Sequence, residues 1–145
     1  MREGQVGTDT NVLLRVIQMD SPHHERAAQA LRTGMLAGDE FAVVPQNLVE
    51  FWTVATRPIA DNGLRMAPRE AWEHVEDILR AFTFLPDTVG CFAHWFDLVN
   101  RYEVRGKTTH DARLVATLLD NSVRRLLTFN VRDFARYEAI RAESP

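Results

Sequence analysis

The sequence predicts an α/β fold, a mainly parallel sheet covered by helices on both faces. Two observations carry that prediction. Short strand-like segments, the apolar run Phe41-Ala42-Val43-Val44 and the buried strand Arg125-Leu126-Leu127-Thr128, stand apart from longer stretches whose apolar residues recur at helical spacing. Candidate strands are also separated by one or two such helices, which is the connection a parallel sheet needs and a hairpin does not. Right-handed crossovers then distribute the helices over both faces.

Taken in order, Val6 to Thr8 is a short, rather polar candidate strand. A helix follows from about Asn11 to Met19, with Val12, Leu13, Val16 and Ile17 at helical spacing. Ser21-Pro22 reads as the cap and first residue of a second helix through Ala27, Ala28 and Leu31, which Gly34 or Gly38 ends. Phe41 to Val44 is the next strand, stopped by Pro45, and a third helix carries Glu50. The breaker-rich segment from Arg57 to Gly63 is a loop. Pro68 opens a helix with Trp72, Val75, Ile78, Leu79 and Phe82 on one stripe, and Thr83-Phe84-Leu85 before Pro86 is a short strand. Another helix runs from about Cys91 to Tyr102. Thr108 or Thr109 then caps a helix through Leu114, Val115, Ala116, Leu118 and Leu119, before Arg125 to Thr128 as a buried strand.

A chain of 145 residues has room for one core, and no repeat, low-complexity tract or linker divides it, so residues 1–145 read as a single domain. No apolar stretch approaches the roughly 20 residues of a membrane span, and Met1-Arg2-Glu3-Gly4-Gln5 lacks the apolar stretch of a secretory signal. The lone Cys91 has no partner for an internal disulfide and reads as a packing residue. The expectation is a cytoplasmic protein. A net charge of −3 gives no global attraction to nucleic acid. Locally, Arg101, Arg105 and Lys107 precede Asp111, and Arg124, Arg125, Arg132 and Arg136 surround Asp133. They read either as a phosphate-contacting rim or as a solvated face.

Four acids stand at the joints of this pattern: Asp9, Glu50, Asp111 and Asp133. In a doubly wound sheet the carboxyl ends of parallel strands share one edge. Asp9 follows the first strand, Asp133 lies just past the last, Glu50 is early in the helix after the second, and Asp111 opens the helix that feeds the last. All four therefore reach one rim, where a shared divalent cation would neutralise them. Asp9, Asp111 and Asp133 also have a plainer reading, as acids near helix N-termini that cap backbone N–H groups and complement the dipole. Capping explains Glu50 least well. Its neighbours Leu48, Val49, Phe51, Trp52, Val54 and Ala55 leave it little polar face, so it reads as a metal or hydrogen-bonded residue.

Supporting roles fall to Asn11, Thr128 and Asn130, with Thr10, as residues that position water or stabilise turns. His110 is a phosphate contact or a surface histidine. The aromatic residues Phe51, Trp52, Trp72, Phe82, Phe84, Trp95 and Phe96 read as core or dimer face. There is no Gly-x-Ser-x-Gly elbow, Gly-rich phosphate loop or Cys/His zinc spacing. A phosphatase fits poorly, because Asp9-Thr10-Asn11 lacks a second nearby Asp to serve as general acid.

Taken together, Asp9-Thr10-Asn11-Val12-Leu13-Leu14, the helix around Glu50, His110-Asp111-Ala112-Arg113-Leu114-Val115-Ala116 and Leu126-Leu127-Thr128-Phe129-Asn130-x-x-Asp133-Phe134 resemble the PIN-domain family, in particular VapC-like toxins of type II toxin–antitoxin pairs. The resemblance implies a three-layer α/β/α sandwich around a sheet of four to five strands. It implies an endoribonuclease dependent on Mg²⁺ or Mn²⁺, with Asp9, Asp111 and Asp133 as ligands and Glu50 binding through water or orienting the attacking water. The family's fourth acidic position falls on either Asn130 or Asp133. An RNA substrate, a cognate antitoxin and a homodimer are the implied partners. The alternative is a non-catalytic RNA- or protein-binding module on the same fold.

Overall fold

The structure is a computed structural model that describes residues 4–145; Met1, Arg2 and Glu3, part of the amino-terminal stretch read above for a signal, lie outside the described residues. Strands β1 (Gln5–Thr8), β2 (Glu40–Val43), β3 (Thr83–Phe84), β4 (Arg125–Leu127) and β5 (Arg141–Glu143) form one sheet in the order β3-β2-β1-β4-β5. Every neighbouring pair is parallel. Between them run α1 (Thr10–Ile17), α2 (His24–Leu36), α3 (Pro45–Thr56), α4 (Pro68–Ala81), α5 (Cys91–Arg101), α6 (Thr108–Asp120) and α7 (Val131–Phe134).

Alternation along the strands creates the three layers. Val6, Phe41 and Leu127 point to the face covered by α1 and α2, and Val43 joins Leu13, Phe51, Ala71 and Ile78 beneath α3 and α4. Ala42, Val44 and Leu126 point the other way, into the largest core, under α5 and α6. Gly7 is on that second face too. A Cβ there would lie 2.7 Å from both Leu118 methyls, so the missing side chain lets α6 approach β1 closely.

The polar lead-in to Asp9 turns out to be the central strand. All four residues of β1 are buried, because β2 and β4 flank it and pair its backbone on both sides. Ladder pairing outweighs side-chain polarity here, and Gln5 is satisfied by donating to Glu40 Oε1 at 3.1 Å. The strand β5 carries no apolar run and was not foreseen. Boundaries shift elsewhere as well. Ser21 caps a turn, accepting from the His23 N–H at 3.2 Å, and α2 starts at His24. Gly34 lies inside α2, where a Cβ would collide with the Phe41 ring, and the chain turns at Gly38 with φ of 97°. Thr108 and Thr109 lie inside α6 and donate back to the Arg105 and Gly106 carbonyls, while Lys107 takes the cap position without a side-chain bond.

Candidate active site

The order of strands reverses between β1 and β4, and the crevice at their carboxyl ends is the place where such sheets build sites. Asp9 leaves β1 and Thr128 leaves β4 at that point. The Asp9 backbone N–H continues the ladder to the Leu127 carbonyl at 2.9 Å. Its side chain does two jobs: Oδ1 accepts from the Thr10 N–H at 2.8 Å, capping α1, and Oδ2 accepts from Thr128 Oγ1 at 2.8 Å. Thr128 is the hub of this corner. Besides donating to Asp9, its Oγ1 accepts from the Asn130 N–H at 2.9 Å and from Asn11 Nδ2 at 3.5 Å. Asn11 Oδ1 in turn accepts from the Phe129 N–H at 3.3 Å, so both sides of the crevice are tied together.

Glu50 is held from the other side. Asn47 caps the opening of α3 by accepting from the Val44 N–H at 2.9 Å, and its Nδ2 donates to Thr10 Oγ1 at 3.2 Å. Thr10 Oγ1 then donates to Glu50 Oε1 at 3.1 Å. The hydrogen-bonded role anticipated for Glu50 is therefore present, although its surroundings are more open than the sequence implied. Val49 is 66% exposed and Trp52 36% exposed. Asn47 was not singled out from sequence; its signal is the third position of α3, two residues after Pro45 and three before Glu50.

Asp111 lies in the first turn of α6 and is half-buried. The helix opening is pinned from two directions, by Gln46 Nε2 donating to the His110 carbonyl at 2.7 Å and Trp95 Nε1 donating to the Thr109 carbonyl at 3.1 Å. Arg113 reaches Gln46 Oε1 and Asp87 Oδ2, each at 3.2 Å. The Asp111 carboxylate itself has no hydrogen bond among the described residues. Asp133 is exposed on the four-residue α7, and Asn130, also exposed, contributes only its backbone N–H to Thr128. The imidazole of His110 is exposed beside a cleft of about 510 Å³ lined by Pro45, Gln46, Val49, Glu50, Asp87 and Arg113.

Electrostatics shows that these acids share one region. Burial pushes the Asp9 carboxyl up to about 6, against the opposing pull of its bonds from Thr128 and Thr10, and the charges of Glu50 and Asp133 push the same way as burial. Asp111 is pushed up to about 6 first by burial and then by Asp9, Asp133 and Glu50, with His110 pulling it down. No group of three or more Asp, Glu, His or Cys side chains is closed tightly enough to ligate an ion among the described residues. The arrangement is a loose ring of acids, two tethered and two free.

The basic residues divide. Arg125 is no rim residue: it is clamped between Asp39 (2.8 and 3.2 Å) and Glu143 (2.8 and 3.1 Å), joining the amino-terminal side of β2 to the edge strand. Those two carboxylates hold its guanidinium well above its ordinary range. Arg101 pairs loosely with Glu138 at 3.6 Å and lies over the Tyr102 ring. Arg105, Lys107, Arg124, Arg132 and Arg136 are exposed.

The fold has counterparts among solved structures. Among curated protein sequences none matches the chain. Its fold is similar to that of a chain in the structure of VapBC2 from Rickettsia felis bound to a promoter DNA fragment, with a TM-score of 0.72 at 13% identity over 97% of this chain and 98% of that one. VapBC-1 from nontypeable Haemophilus influenzae gives 0.70 at 16% identity, over 97% of each chain. VapC20 of Mycobacterium tuberculosis, a Sarcin-Ricin loop cleaving toxin, gives 0.61 at 15% identity over 83% of this chain and 86% of that one. The PIN domain family model matches residues 8–140, from the strand that delivers Asp9 to the turn before β5, and the chain belongs to the PIN domain family.

Proposed function

We propose that this chain is a divalent-metal-dependent endoribonuclease, the toxin of a type II toxin–antitoxin pair. The observation that carries the reading is the ring of Asp9, Glu50, Asp111 and Asp133 at the β1/β4 crevice, where burial, reinforced by repulsion among the acids, holds two carboxyls near 6. Such a donor set is oxygen-only and uncompensated, which suits Mg²⁺ or Mn²⁺. Its looseness suits them too, because Mg²⁺ keeps several waters and takes only one or two carboxylates directly. Asp9, Asp111 and Asp133 would hold the ion, in part through its waters. When bound, it supplies charge stabilisation to phosphoryl oxygens and acidifies water. The chain's own residues do the rest. Thr128 and the Thr10 N–H fix Asp9, the Asn47–Thr10 relay aims Glu50 for orienting water or accepting its proton, and Arg113 and His110 stand at the cleft beside Glu50 where an RNA phosphate enters.

The partners follow from the same reading. Relatives of this fold are known in VapBC complexes, and we assign this chain a cognate antitoxin of its own. A homodimer through the outer face of α5 accounts for Phe92 and Phe96, which are stacked at 5.7 Å yet 68% and 62% exposed, beside the fully exposed Val89. No helix among the described residues is long and apolar enough to cross a membrane. The test is cleavage of cellular RNA by protein freed of any co-purifying antitoxin, with Mg²⁺, with Mn²⁺ and with chelator. Cuts should require the metal and vanish in Asp9→Asn and in Asp111→Asn. Cleavage that survives both substitutions refutes the assignment.

A further inference from the structure

Tyr137 carries a phenol that the packing leaves without a partner. The residue is 2% exposed, and its hydroxyl is buried with no hydrogen bond. Leaving such a group unpaired costs about 1–3 kcal/mol, and phenylalanine would fill the same space without that cost. The ring is well fixed. It meets Tyr102 edge-on with centroids 5.2 Å apart and belongs to the core formed with Ala112, Leu98, Val115 and Phe134. Two of those neighbours adjoin acids of the site, Ala112 following Asp111 and Phe134 following Asp133.

An unpaired acceptor lies in the same neighbourhood. Asp111 has no hydrogen bond among the described residues, whereas Asp9 and Glu50 are both tethered by threonine hydroxyls. Burial pushes the phenol up, the Arg136 charge opposes that rise, and the Asp111 carboxylate adds to it. A buried donor and a half-buried acceptor thus lie on either side of the core that holds Ala112, each lacking what the other offers.

We infer that Tyr137 is a positioning residue for Asp111, its hydroxyl donating to the carboxylate, directly after rotation of the Asp111 side chain or through one water, when the site is loaded. This rests on the metal-dependent reading above. A second partner of this kind orients a ligating carboxylate, and its loss typically weakens metal binding or activity by about 10–100-fold.

The experiment is Tyr137→Phe, alone and combined with Asp111→Asn, read by Mn²⁺ titration and by RNA cleavage. In Tyr137→Phe, Mn²⁺ affinity and kcat should fall about tenfold or more while KM for RNA and the thermal midpoint hold or the midpoint rises. In the Asp111→Asn background the same change should do nothing further to Mn²⁺ affinity, because the two residues act as one unit. Unchanged Mn²⁺ affinity in Tyr137→Phe overturns the inference, as does an equal loss in both backgrounds. If the wild type binds Mn²⁺ but cuts no RNA, the ribonuclease reading fails while the binding comparison still decides the role of Tyr137.

Discussion

Asp9→Asn should make the metal-free protein more stable at neutral pH and less stable in acid. The Asp9 carboxyl ionises near 3.8 in an unfolded chain and at about 6 in the fold. A raised folded-state value means that its contribution to stability is fully present below 3.8 and is lost as pH rises through 6. The difference corresponds to at most about 3 kcal/mol at pH 7.5. The amide removes that cost, and its oxygen keeps the bond from the Thr10 N–H. Its NH₂, however, meets a Thr128 oxygen already approached by Asn11 Nδ2 and the Asn130 N–H, a mismatch of about 1–2 kcal/mol. The net gain is therefore about 1–2 kcal/mol at pH 7.5, or roughly 2–8 °C in thermal midpoint for a domain of this size. At pH 4 the mismatch outweighs the small part of that cost that is left. Thermal and urea unfolding in chelator from pH 4 to 8 should show the two stability curves crossing. A difference between the proteins that is independent of pH would refute the argument, and a wild type that gains on Asp9→Asn as pH rises would reverse it. Adding Mn²⁺ at pH 7.5 should then raise the wild-type midpoint and leave that of Asp9→Asn almost unmoved.

Two further substitutions probe how the site is supported. Thr128→Val should destabilise the fold by about 1–3 kcal/mol in urea unfolding, since it strands the Asn130 N–H and removes a donor to Asp9; no loss would show that the hub is dispensable. Gly7→Ala should cost about 1–3 kcal/mol by pressing a methyl against Leu118, and should lower RNA cleavage by shifting the helix that carries Asp111. Full stability in that variant would mean that Leu118 simply rotates away.

The layered fold and the gathering of four acids were legible because they follow from topology. Once strands are read as parallel, Asp9 and Asp133 are committed to one edge of the sheet, whatever the intervening loops do. What the sequence concealed depends on neighbours far along the chain. Arg125 was grouped with basic residues near Asp133, yet its partners Asp39 and Glu143 are brought to it by the pairing of β4 with β5 and by the turn into β2. Without β5 in the prediction, that clamp could not be seen. The strand itself was invisible because Arg141-Ala142-Glu143 is an edge, held by backbone pairing along one side and so free of the apolar run that marks a central strand.

The same distinction governs the site. Asp9 and Glu50 belong to residues with local signatures, a strand-to-helix cap and a capped α3, and the structure ties each to a threonine. Asp111 and Asp133 ride on elements whose side chains leave them untied, and the fourth corner is filled by an exposed acid, with Asn130 turned to backbone duty beside it. Half of the ring is thus rigid at the switch point of the sheet and half is free at its rim. On the metal-dependent reading, the standing cost falls on the buried carboxyls, and the free half would be drawn in only when a cation offsets the repulsion among the acids.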